Sequence, residues 1–117
     1  MDIETLRNYC LSKLWVTESL PFGPNILVFK VSGKVFAICD IDLFESINLK
    51  CEPVRALELR QLHPEWVQPG WHMNKKHWNT VRSNAPSSFL IELIDHSYAC
   101  VVGGFSKKKQ QELGFEN

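Results

Sequence analysis

The most constraining feature of this chain is the dipeptide Ser32-Gly33. It stands between two runs of β-branched and aromatic side chains, Ile26–Val31 and Lys34–Cys39. A two-residue connection needs positive φ, which glycine supplies, and it commits the flanking runs to a β-hairpin. The turn sets the register: Val31 opposite Lys34, Phe29 opposite Phe36, Leu27 opposite Ile38. Leu27, Phe29, Val31, Phe36 and Ile38 then share one face, the expected core face. Lys34 falls at the turn end and is expected exposed.

The elements around the hairpin follow from periodicity. Ile3, Leu6, Cys10, Leu11 and Leu14 recur at helical spacing and predict a helix over about Asp2–Leu14, capped by Asp2. Ser19–Asn25 holds two prolines and a glycine and reads as a shaped loop. A third strand is expected near Ser46–Lys50, after the acidic link Asp40-Ile41-Asp42. Glu52-Pro53 opens a second helix and His63-Pro64 closes it, with Val54, Leu57 and Leu62 as its buried side. Val67–Gly70 is a turn signal. Trp71–Arg82 reads partly as a strand, best from Lys76 onward. Ser87 or Ser88 caps a last helix whose stripe is Phe89, Leu90, Leu93, Ile94, Ser97, Tyr98, Val101 and Val102. Gly103-Gly104 ends it, and residues 106–117, with Lys107-Lys108-Lys109, are expected to form a mobile tail. The predicted order is α-β-β-β-α-β-(β)-α. It lacks strand-helix alternation, so the expectation is one α+β domain over 1–117, an antiparallel sheet packed by helices.

Composition bears on partners. Thirteen basic residues balance thirteen acidic ones, so binding to nucleic acid needs a local patch rather than a basic chain. The four cysteines form no CxxC pair, and Met1–Glu4 does not open like a secretory signal. Cys10 and Cys100 fall on apolar helix faces and Cys39 in an apolar strand, where free thiols behave as small hydrophobes. The expectation is a cytoplasmic protein with reduced thiols, no membrane span and a monomeric state.

Charge is uneven along the chain. Residues 1–48 carry four basic and six acidic side chains, residues 49–82 six basic and three acidic. Trp71–Arg82 holds three full positive charges, two His, two Trp and two Asn, with no acid. Lys and Arg contact phosphates, Asn reaches backbone or base edges, and Trp or His offers a stacking face. The same residues also suit a solvated strand edge whose lysines guard against aggregation. His72 and His77 are five apart, on opposite faces of a strand, and no metal-ligand spacing joins them. Cys51 stands at a strand-to-helix junction, where a helix N-terminus can stabilise a thiolate, and His72 or His77 could in principle reach it as a base. Glu52 beside it and the missing oxyanion hole favour a structural cysteine. Asp40, Asp42 and Glu45 read as a solvated turn. No phosphate-binding or dinucleotide fingerprint is present, and no cofactor or metal is expected.

Four blocks carry a resemblance. They are Leu20–Pro24 with Val28–Val31 and Gly33–Ala37; Asn48–Pro53 with Ala56–Arg60; Pro69–Val81; and Asp95–Tyr98 with Val101, Val102 and Gly104. They span nearly the whole chain in one order, and the chain resembles the MmcQ/YjbR family of small bacterial proteins, often labelled DNA-binding. Trp71 stands where that pattern carries Tyr. The resemblance implies an α+β fold with an antiparallel sheet, similar to secretion-chaperone and CyaY-like folds. It also implies a double-wing arrangement on DNA, but no reaction, cofactor or catalytic residue.

The function expected is therefore binding of nucleic acid, DNA above all, by a surface of Asn74, Lys75, Lys76, His77, Trp78 and Asn79. Lys34, Lys50 and Arg82 would lie nearby, the cations on phosphates and Trp78 stacking. One alternative is a protein- or peptide-interaction module, with loop Leu20–Asn25, Trp66 and Trp71 forming an apolar groove and a free sheet edge taking an extended peptide. A further one is a Cys51/His72/His77 site, which requires those groups to converge.

Overall fold

The computed structural model describes residues 1–115. The elements are α1 (Ile3–Leu11), β1 (Val16–Ser19), β2 (Ile26–Val31), β3 (Lys34–Asp40), β4 (Ser46–Lys50), α2 (Pro53–Leu62), β5 (Val67–Pro69), β6 (Trp78–Arg82), α3 (Ser87–Gly103) and α4 (Lys107–Glu112). All six strands form one antiparallel sheet in the order β1-β2-β3-β4-β6-β5. The fold is α+β, with helices against one face. Leu6 and Cys10 of α1, Ala56 and Leu59 of α2, and Leu90, Leu93, Ile94 and Val101 of α3 share one core with alternate strand residues.

The hairpin forms with Ser32 at φ 45° and Gly33 at φ 85°, but its register departs from the simple count. Val31 faces Lys34 as expected, whereas Phe29 pairs with Ala37 and Leu27 with Cys39. The ladder shifts between Phe29 and Lys30, which pairs with Val35, so Phe36 is an extra residue in a β-bulge. Ala37 and Cys39 thereby join the core face, and Ile38 turns to the opposite one. Ser97, fully buried, serves the irregular stretch: its hydroxyl donates to the Phe36 carbonyl at 2.6 Å and accepts from Lys50 N–H at 2.8 Å. It satisfies backbone groups beyond the last β3–β4 pair, Ala37–Leu49.

Other departures are local. Asp2 caps α1 as expected, accepting from Thr5 N–H at 2.8 Å. The helix stops at Leu11 rather than Leu14, because Trp15 (φ 64°) turns the chain into β1, a strand the periodicity did not announce. Leu14 is exposed. In α2 the limits match, with Glu52 capping, but the buried side is Ala56 and Leu59. Val54, Leu57 and Leu62, expected inside, are 61%, 57% and 71% exposed. Val67–Pro69, expected as a turn, is edge strand β5. Ser87 is already helical in α3, which begins after Pro86 without a side-chain cap.

The segment expected as a tail forms α4 over Lys107–Glu112, capped by Ser106. Trp15 Nε1 donates to the Leu113 carbonyl at 2.6 Å, and Phe115 packs edge-on against Tyr98. The remainder of that stretch, Glu116 and Asn117, lies outside the described residues.

Candidate nucleic-acid interface

The face away from the helices is built by the other strand positions, and the registers arrange them in rows. A central row runs Ser19, Val28, Ile38, Asn48, Thr80, Gln68 across all six strands. Towards one end lie Lys30 and the cross-strand pair Lys50–Trp78; towards the other, Ser46 pairs with Arg82. Antiparallel sheets commonly leave one face to solvent in this way.

The loop 71–77 sits over this face, and local chemistry fixes it there. Gly70 opens it: a Cβ at that position would lie 2.7 Å from Trp78 Cβ and 2.8 Å from its carbonyl oxygen, so only glycine fits. Trp71 N–H donates to Thr80 Oγ1 at 2.9 Å, and that hydroxyl donates onward to Asn48 Oδ1 at 2.5 Å. Next, His72 takes φ 61°, and its ring stacks on Trp71, 5.5 Å between centroids. Asn74 Oδ1 accepts from Lys76 N–H at 3.0 Å, an Asx turn. From α2, Arg60 clamps the loop's return. Its guanidinium donates to the carbonyls of Lys75 and Trp78 and, through Nε, to Asn79 Oδ1 at 2.7 Å.

Trp71 is left 70% exposed on a tethered loop, with a hollow on either side. One, of about 360 Å³, is lined by Ile26, Ile38, Cys39, Asp40, Leu43, Glu45, Ser46, Asn48, Trp71, His72 and Thr80. The other, of about 460 Å³, is lined by Glu45, Ser46, Gln68, Pro69, Trp71, Lys75, Thr80 and Arg82. Glu45 lines both; the first adds Asp40, and the second brings Lys75 and Arg82 together. The acidic cluster is the turn the sequence suggested, with Asp40 Oδ1 accepting from Asp42 and Leu43 N–H at 2.9 and 3.0 Å.

The predicted surface residues do not stay one set. Asn74, Lys75 and Lys76 are exposed on the loop, and Arg82 is exposed at the edge of the second hollow. Lys50 and Trp78, half-buried, face one another on the open side. His77 is half-buried and lends its backbone carbonyl to Cys51 N–H at 2.8 Å. Lys34 is exposed at the hairpin turn, on β3, two strands from β6.

Asn79 is a correction. It is 2% exposed on the helix side of β6, held by Arg60 and donating to the Ala56 carbonyl at 3.4 Å. Strand alternation turned it inward when Trp78 and Thr80 turned out. Trp66 and Trp71, expected in one groove with loop Leu20–Asn25, lie in different settings. Trp66 packs on His63 and Phe89 at the core, while Ile26, Ile38 and Leu43 accompany Trp71. The Asn48–Thr80 pair went unread because its significance lies in register, which short polar residues do not reveal.

The Cys51/His72/His77 site lacks an available nucleophile, although the His77 backbone adjoins Cys51. Cys51 is 4% exposed, and burial pushes its thiol up to about 11, so it stays protonated at neutral pH. His72 lies on the exposed loop. The imidazole at this junction is His96, whose Nε2 accepts from Glu52 N–H at 3.1 Å. Burial and, next, Arg55 hold its pKa below the ordinary value. Among the described residues, no three of His, Cys, Asp and Glu gather so as to hold a metal ion. Among them also, no helix is long and apolar enough to cross a membrane.

A family model, YjbR, matches residues 11–100. The uncharacterized protein YbdF of Escherichia coli O157:H7 is 37% identical over 113 residues, 94% of this chain and 92% of that one. The uncharacterized protein YjbR of Escherichia coli K12 is 32% identical over 116 residues, 97% of this chain and 98% of that one. Among solved structures, Deinococcus radiodurans protein DR2400 superposes with a TM-score of 0.91 at 39% identity, covering 98% of this chain and 89% of that one. A Pseudomonas syringae protein gives 0.72 at 26% identity, covering 86% and 98%.

Proposed function

The chain belongs to the YjbR family, and on that premise we propose that it is a small cytoplasmic nucleic-acid-binding domain, acting as a monomer through the Trp71–Arg82 surface. The observation that carries the reading is Trp71, a 70% exposed indole tethered to an open sheet face with Lys75 and Arg82 beside it. An exposed tryptophan on a soluble domain is a ready stacking partner for an unpaired base, and flanking cations track the phosphates. Lys76, Lys50 and the half-buried Trp78 extend that surface. The reading favours single strands, whose bases are free to stack, with DNA the first ligand to try. Four free cysteines, three of them buried, suit the reducing cytoplasm.

Fluorescence anisotropy of labelled single- and double-stranded DNA and RNA at several salt concentrations tests this. The expected result is binding whose log K falls with log salt as for roughly three to five phosphates. The double variant Lys75→Ala, Lys76→Ala should weaken binding across all sequences and lower that slope by about two. Folded protein that binds nothing at low salt overturns the reading. The apolar wall of Ile38, Leu43 and Trp71 favours the peptide-binding alternative, which would show instead as capture of a protein that survives nuclease treatment.

A further inference from the structure

We propose that the two hollows flanking Trp71 hold successive nucleotides of one strand, and that the acidic hollow selects a base carrying an exocyclic amino group. The inference rests on the nucleic-acid reading and adds what that reading lacks, a preference among bases.

The two hollows carry unequal charge. They share Trp71, Glu45, Ser46 and Thr80, so they adjoin across the indole. Glu45 lines both hollows, so the difference is Asp40 on one side against Lys75 and Arg82 on the other; a phosphate is repelled by Asp40 and attracted by the two cations, and the backbone belongs on the Lys75 side. That leaves the acidic side for a base packed along the stacked Trp71–His72 pair, over Ile38 and Leu43. At about 360 Å³ and 460 Å³, each hollow lies within the usual size of a small-ligand site.

The polar groups of the acidic hollow then specify an edge. Asp40 commits Oδ1 to its own turn, leaving Oδ2 for a ligand. The Glu45 side chain is exposed and engaged in no ion pair among the described residues. Carboxylates only accept hydrogen bonds. Thr80 occupies Asn48 Oδ1, so Asn48 offers its amide N–H donors. Two carboxylate acceptors beside an amide donor match an amino group next to a ring nitrogen, as in adenine and cytosine, or the adjacent amino and ring N–H donors of guanine. Thymine and uracil have no amino group. Each presents one imide N–H between two carbonyls, and those carbonyls oppose the carboxylates.

The test is anisotropy with labelled octamers of dA, dC and dT, on the wild-type protein and on Glu45→Gln. Glu45 uses its backbone carbonyl, not its side chain, to bind Ser83 N–H, so the variant keeps that contact; circular dichroism checks its fold. The expected result is dA and dC bound about tenfold more tightly than dT by the wild type, and a several-fold smaller ratio in Glu45→Gln through improved dT binding. The change in ratio is read because dA strands stack on themselves. Equal binding of the three octamers, or an unchanged ratio in the variant, overturns base selection and leaves the nucleic-acid reading standing. Absence of binding to every octamer by folded protein overturns both.

Discussion

Arg60 joins three parts of the molecule. It projects from α2 to the Asn79 side chain in β6 and to the carbonyls of Lys75 and Trp78 at the end of the loop. Asn79 is therefore a support for the interface and not a contact within it. Asn79→Ala removes a charge-assisted hydrogen bond and leaves the half-buried Arg60 guanidinium short of one partner. Bonds to charged groups are worth about 1.5–3 kcal/mol, so the variant should lose roughly 2–3 kcal/mol of unfolding free energy in urea. A loss below about 0.5 kcal/mol, the range of ordinary surface changes, would contradict this role. The residue types at 71–82 were legible as chemistry. Which of them reach solvent depended on strand phase: β6 begins at Trp78, and that start alone decides that Trp78, Thr80 and Arg82 face out while Asn79 and Val81 face in.

Helix α2 shows the same limit at the scale of an element. Two apolar stripes run along it, Val54 and Leu57 on one and Ala56 and Leu59 on the other, with Leu62 between them. Both obey helical spacing, so periodicity alone does not choose. Its contacts with β5 do: the smaller stripe packs inward and the larger is left exposed. Leu59→Ala should therefore cost about 2–4 kcal/mol, while Leu57→Ala should change stability by no more than about 0.5 kcal/mol. Urea titration of both variants decides it, and a larger loss from Leu57→Ala would reverse the assignment. The limits of α2, β2 and β4 were legible because a proline, a turn and β-branched runs mark them. Strands β1 and β5, of four and three residues, are too short to show alternation. Their pairing with longer neighbours makes them strands. The bulge at Phe36 was hidden because Val35, Phe36 and Ala37 are apolar on either phase.

Over the whole molecule, equal numbers of acids and bases leave stability to specific partners rather than net charge. Burial alone would raise Asp95, but hydrogen bonds from Lys13 at 2.5 Å and Tyr9 at 2.6 Å hold it below the ordinary aspartate value. The Arg7 guanidinium holds Glu18 low in the same way, and helix-end N–H groups lower the capping acids Asp2 and Glu52. His96 is also lowered, chiefly by burial. A group whose folded pKa is depressed binds fewer protons in the folded state, so each stabilises the fold above its unfolded pKa and loses that contribution on acidification. The His96 contribution fades below its ordinary value of 6.5 and the carboxylate contributions below 4.5 for Glu18 and 3.8 for Asp95. The thermal midpoint should therefore fall gently as pH drops from about 6.5 and steeply below about 4.5. Asp95→Asn should lower the midpoint at pH 7, with the gap to wild type closing as pH drops through the folded Asp95 pKa. Scanning calorimetry from pH 3 to 8 on both proteins reads this, and a gap that persists undiminished at the acid end would remove Asp95 from the account.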